Sequence, residues 1–154
     1  MVKIIGLEFR CNCPITTGLD YIGDRWNLVI IKQILFQNKW TYKDLINSDE
    51  NISTNILAIR LKFLVENGIL YYQHPKDNNK VKYYILTQKG LDLVPLIVEI
   101  NKWSNKYLRS ENPSMLTNRE LGIELLETDS EKFIHLVIQD YKRKVAEKDL
   151  QVYE

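Results

Sequence analysis

Apolar positions recur at three- and four-residue spacing along most of this chain, and only near its middle give way to two short runs rich in β-branched and aromatic residues. The spacing predicts a string of helices interrupted by one hairpin. Pro14 suits a helix's first turn, so "ITTGLDYIG" reads as a short helix ended by Gly23. In "DRWNLVIIKQILF", Trp26, Val29, Ile30, Ile34 and Leu35 share a face, with Asp24 as N-cap and Asn38 as stop. Thr41 is placed to cap a brief helix that turns Tyr42, Leu45 and Ile46 inward. After the polar "SDEN", Ser53 caps a longer helix with Leu57, Leu61 and Leu64 on one side, closed by Asn67-Gly68.

"ILYYQHP" and "KVKYYIL" flank "KDNN" and read as a hairpin with a basic, polar tip. Thr87 then caps a long helix whose residues Leu93, Leu96, Ile97, Ile100, Trp103 and Tyr107 form one apolar stripe, with Val94 and Val98 beside it and a kink expected at Pro95. A stripe so wide at the edge of a small domain calls for a symmetric partner. Two more helices are expected near 117–127 and 130–148.

The fold class that follows is mainly α with a small β-hairpin: a winged helix-turn-helix domain, a long C-terminal dimerisation helix and extra C-terminal helices. Two units are expected, residues 9–108 for DNA binding and dimerisation and residues 113–154 as a helical extension of open role. In such a domain the second helix of the pair enters the major groove and the hairpin meets the backbone or minor groove. At about 100° per residue, the arc opposite Leu57, Leu61 and Leu64 holds Asn55, Ala58, Ile59 and Lys62, with Thr54 on its flank. Asn55 suits an adenine edge, Ala58 or Ile59 a thymine methyl, and Lys62 guanine or phosphate. Arg60 falls beside the apolar stripe, where an ion pair inside the domain and a phosphate contact are both open. Lys76, Lys80 and Lys82 on the hairpin suit phosphates, although lysines on an exposed turn also serve solubility.

Charge sharpens this division. Residues 1–112 carry 15 Lys and Arg against 11 Asp and Glu, and residues 113–154 carry 6 against 9, so the first part suits a polyanion and the tail does not. With 154 residues and 45 % apolar content the chain is long enough for one core. No run approaches the roughly 18 apolar residues of a membrane span, and the N-terminus has too short an apolar stretch for a secretory signal, so a cytoplasmic protein is expected.

Cys11 and Cys13 lack the second pair that a zinc site needs, with His74 in the hairpin and His135 in the tail. No base is clustered with either thiol for nucleophilic catalysis. Neither enzyme activity nor a cofactor or metal is therefore expected. A helix N-terminus favours thiolate, which gives Cys13 a reason to be reactive; burial in a dimer interface is the competing reading, and both stay open.

Taken together, Cys13-Pro14, Ile22-Gly23-Asp24-Arg25-Trp26, Tyr42-Lys43-Asp44-Leu45, Ile52-Ser53, Ile56-Leu57, Arg60-Leu61-Lys62, Asn67-Gly68-Ile69, Tyr84-Ile85-Leu86-Thr87, Gly90, Leu93-Val94-Pro95 and Trp103 resemble the HxlR-type regulators, relatives of the MarR group. The similarity spans about residues 9 to 108. It implies a cytosolic homodimeric transcription regulator on double-stranded DNA, with dimer contacts from the N-terminal and long C-terminal helices. The expected target is a pseudo-palindromic operator. Some similar proteins use the cysteine just before the proline as a sensor of oxidants or electrophiles, and Cys13 occupies that position; a small-molecule effector is also compatible. Tyr42 stands where the pattern usually has Phe, and residues 113–154 lie beyond its usual end. The alternative from another class is a winged-helix module that docks proteins without binding DNA.

Overall fold

The computed structural model describes residues 9–153. Its order is α1 (Pro14–Ile22), α2 (Arg25–Phe36), α3 (Tyr42–Ile46), α4 (Thr54–Glu66), β1 (Leu70–Gln73), β2 (Tyr83–Leu86), α5 (Gln88–Leu91), α6 (Val94–Tyr107), α7 (Leu125–Thr128) and α8 (Ser130–Glu147). The helix starts follow local capping chemistry. The carboxylate of Asp24 accepts from the Trp26 amide at 2.9 Å, Thr41 and Asp44 form a reciprocal capping box, and the Ser53 hydroxyl accepts from the Ile56 amide at 3.3 Å. Gly68 ends α4 at φ +68°, a left-handed conformation that a side chain would strain.

β1 and β2 pair antiparallel with Tyr72 opposite Tyr84 and Tyr71 opposite Ile85. The free edge of β2 does not stay bare: the Tyr84 amide donates to Trp40 O at 2.7 Å and Thr41 bridges Tyr83. The wing is thereby stitched to the segment between α2 and α3.

Three expectations need correction. One continuous helix from Gln88 does not form; α5 stops at Leu91, and α6 starts afresh with Pro95 in its first turn. Inside a continuous helix Pro95 would lack a donor and clash with the carbonyl of Leu91, whereas in a first turn neither cost arises. Tyr42 points outward and is exposed, because its hydroxyl donates to Thr54 O at 3.2 Å at the mouth of α4. Residues 117–124 form turns rather than a helix; Gly122 reverses the chain at φ +69°, leaving α7 as one turn.

The core is built from Ile30, Ile31, Ile34, Leu57, Leu64, Ile85, Leu86, Leu91 and Val94, and it continues without a break into Leu126, Phe133, Tyr141 and Val145 of the C-terminal segment. Phe36 stacks on Phe133, and Trp40 meets Tyr141 edge to face. The loop before α7 is anchored to α6 through buried Asn118, which accepts from Asn101 Nδ2 at 3.1 Å and donates to Glu127 at 2.8 Å. Gly90 is forced by close packing: a Cβ there would lie 2.4 Å from Ile69 O. That approach lets the Thr87 hydroxyl reach Gly68 O at 2.6 Å and lock α5 onto the turn before β1.

Candidate nucleic-acid interface

The sequence-derived arc is assembled as a surface. Leu57, Leu61 and Leu64 bury one side of α4, and Thr54, Asn55, Ala58, Ile59 and Lys62 are all exposed on the other. Ile59 is 51 % exposed beside Asn55 and Lys62. Lys62 makes one loose ion pair, 3.8 Å from Glu66 one turn on.

Four anchors hold this helix. Asp24 uses one oxygen to cap α2 and the other to pair with Arg60 at 3.3 Å. Arg60 is therefore seen engaged inside the domain, its side chain only 27 % accessible. Glu50, in the turn before α4, accepts from Lys32 and from Gln33, the latter at 2.6 Å, both on α2. Burial alone would raise the Glu50 carboxyl, but the bonds from Lys32 and Gln33, with the Lys32 charge, hold it below its usual value. At the far end, Asn67 O receives hydrogen bonds from the Tyr21 hydroxyl at 2.9 Å and from Lys89 at 2.9 Å. The fourth is the Tyr42 bond to Thr54 O.

The wing carries its lysines as expected but does not use them alike. Lys80 is exposed at the tip, Lys82 sits over the Tyr72 ring at 4.2 Å, and Lys76 pairs with Asp149 of the C-terminal tail at 3.2 Å. The two faces of the hairpin also differ. Tyr71, Gln73 and Tyr83 face the tail: Tyr153 packs edge-on against Tyr71 with ring centroids 4.5 Å apart, Gln73 donates to the Tyr153 hydroxyl at 3.0 Å, and Lys148 lies over Tyr83. Tyr72 and Tyr84 face α4 instead. Their strand propensity concealed this in the sequence, where they read as sheet formers only.

Cys13 is the N-cap of α1, and both it and Cys11 are exposed thiols. The amides of Thr16 and Ile15, then the Thr16 hydroxyl, hold the Cys13 thiol below its ordinary pKa, since each favours the thiolate. The Cys13 amide lies 3.5 Å from Cys11 Sγ. Among the described residues no group of three or more His, Cys, Asp or Glu is placed to hold a metal ion, and no helix is long and apolar enough to cross a membrane.

This geometry agrees with comparisons to known proteins. The family model for the HxlR-like helix-turn-helix matches residues 21–112. The uncharacterized HTH-type transcriptional regulator YdeP of Bacillus subtilis (strain 168) is 26 % identical over 107 residues, which is 67 % of this chain and 83 % of that protein. The crystal structure of PA1607, a candidate transcription factor, superposes with a TM-score of 0.60 at 33 % identity, covering 70 % of this chain and 73 % of that one. A candidate MarR-family regulator from Porphyromonas gingivalis W83 gives 0.52 at 28 % identity, covering 62 % and 93 %. The matched span begins at the end of α1 and ends after α6, so it takes in the helix pair, the wing and the long helix and leaves out the C-terminal segment from residue 113 onward. With its exposed α4 surface and its two-stranded wing, the chain belongs to the HxlR-like helix-turn-helix family, whose members are MarR-like transcriptional regulators.

Proposed function

We propose that this regulator acts as a homodimer that reads a pseudo-palindromic operator in double-stranded DNA, each α4 entering a major groove and half-sites lying about 34–36 Å apart. The observation that carries the reading is the exposed arc Thr54, Asn55, Ala58, Ile59 and Lys62, held rigid from beneath and left uncovered by the acidic tail. Asn55 supplies a base-edge contact, Lys62 reaches guanine or phosphate, Ala58 and Ile59 make apolar contacts, and Lys80 and Lys82 bind phosphates. Arg60 and Lys76 contribute only if they release Asp24 and Asp149. An operator reader of this kind works in the cytoplasm and needs no catalysis or cofactor.

Dimerisation is supported by apolar side chains left in water. Leu96, Ile100, Trp103 and Tyr107 are 40–56 % exposed along α6, and Ile15 and Leu19 on α1 are 74 % and 62 % exposed. Residues 9–108 form the DNA-binding and dimerising unit, and 113–153 a brace that fills the core behind the wing.

Cys13 is the input we assign to oxidants or electrophiles. Its helix is hooked to the end of α4 through the Tyr21 hydroxyl and through an edge-on contact of Tyr21 with Phe63. A displacement of α1 would act on α4 through these two contacts. The test is a titration with the region upstream of the protein's own gene, with and without mild oxidant, for wild type, Cys13→Ser and the pair Asn55→Ala, Lys62→Ala. Loss of binding in the pair, and of the oxidant response in Cys13→Ser, is expected. Wild-type binding that the pair retains would refute the α4 reading, and an oxidant response surviving in Cys13→Ser would refute the sensor.

A further inference from the structure

Between α4 and the hairpin runs a groove of about 350 Å³, lined by Tyr42, Ala58, Lys62, Tyr72, Lys82 and Tyr84 and bounded at one end by Glu66. It combines two cations with three phenols on the side of the molecule that carries the reading arc. Cross-strand pairing places Tyr72 directly opposite Tyr84, with ring centroids 6.3 Å apart, so the two rings share the α4-facing side of the sheet. Lys82, itself exposed, rests over the Tyr72 ring at 4.2 Å, which favours a position of the ammonium beside the groove. The Tyr42 hydroxyl already donates to Thr54 O, whereas those of Tyr72 and Tyr84 have no protein partner among the described residues.

Given the DNA-binding reading above, we infer that this groove seats one phosphodiester of the DNA backbone, with Lys82 and Lys62 supplying charge and the Tyr72 and Tyr84 hydroxyls donating to its oxygens. Phenols are suited to this role. They stay protonated at neutral pH, and Tyr84 is held further on that side by its partial burial and then by the neighbouring phenols of Tyr72 and Tyr42. The Glu66 carboxylate repels a phosphate, so the seat lies toward Lys82 and Tyr72, and Lys62 turns from Glu66 to the phosphate on binding. The opposite face of the hairpin packs against Tyr153, so of the two faces the one that carries Tyr72 and Tyr84 is the more open to a backbone. With α4 in the major groove, a phosphate held here fixes the depth and tilt of the reading helix without itself specifying sequence.

Because such contacts are independent of sequence, the experiment uses a mixed-sequence duplex of about three helical turns, with the full chain, in a titration repeated across salt concentrations. Tyr72→Phe with Tyr84→Phe is expected to weaken binding roughly tenfold for each hydroxyl that contacts phosphate, with the salt slope unchanged, since a neutral donor releases no counterion. Lys82→Ala is expected to weaken binding and reduce the slope by about one. Tyrosine-to-phenylalanine changes keep ring packing, and unchanged circular dichroism and melting confirm the fold. If wild type binds with a steep slope while the double phenylalanine variant binds equally well, the phosphate seat is overturned and DNA binding by α4 stands. If wild type does not bind the duplex even at low salt, the DNA-binding reading fails and the seat fails with it.

Discussion

The Tyr141 hydroxyl accepts a hydrogen bond from the Leu86 amide at 2.9 Å, joining α8 to the last residue of the wing across 55 positions of sequence. Both groups are buried, and burial raises the Tyr141 phenol far above its ordinary pKa, so it remains protonated throughout the range in which the protein is handled. The C-terminal segment is therefore part of the domain's interior and is tied to the hairpin.

Tyr141→Phe should keep the ring packed against Trp40 while leaving the Leu86 amide without a partner. A loss of about 1–3 kcal/mol in unfolding free energy is expected, the range for one stranded buried donor. Chemical denaturation of the two proteins measures it; a change under about 0.5 kcal/mol would mean water takes the hydroxyl's place.

Asp149→Asn releases Lys76. This ion pair is exposed on both sides, so stability should change by no more than about 0.5 kcal/mol. If the freed lysine then meets a phosphate, the slope of log affinity against log salt steepens by about one. An unchanged slope would remove Lys76 from the DNA contacts.

Trp103→Asp places a charge in the exposed stripe of α6. Light scattering after size exclusion should show wild type as a dimer and the variant as a monomer or a dimer weakened at least tenfold. A variant that assembles as well as wild type would move the interface elsewhere.

Cys13 should alkylate with an apparent pKa below the value of about 8.5 for a free thiol, because the Thr16 and Ile15 amides favour the thiolate. In the folded state the lowered pKa gives a larger thiolate fraction at a given pH than a free thiol has, and reactivity declines as pH falls through it. Mass spectrometry of iodoacetamide labelling against pH, with Cys11→Ser to isolate the site, gives the profile. Unfolding in denaturant should return the midpoint to the free-thiol value.

Much of this molecule was legible locally. Asp24, Thr41, Ser53 and Thr87 cap the helices they precede, because a cap needs only a side-chain oxygen and an amide two or three residues on. Gly68 ends α4 for an equally local reason, and the α4 arc followed from the 3.6-residue period once Leu57, Leu61 and Leu64 were assigned inward. The family motifs fall within the same span.

What the sequence could not assign was the choice among apolar faces. On α6 the broad stripe through Leu96, Ile100 and Trp103 was legible, but Val94 and Val98 are the side chains the core buries, because α8 packs against α6. Tyr42, Tyr72 and Tyr84 carry both an apolar ring and a polar tip, so composition gave no sign that all three line the groove beside α4. Residues 113–153 read as an appendage; Tyr141, Phe133 and Tyr153 make them a wall of the core through contacts dozens of residues distant. The sequence by itself determined where α1 to α4 begin, where α4 ends and which surface of α4 looks outward, since these depend on neighbours within one turn. Only the tertiary structure decided which apolar stripe is buried, which lysines are occupied and where the tyrosines converge, since those depend on what the chain brings back from far along its length.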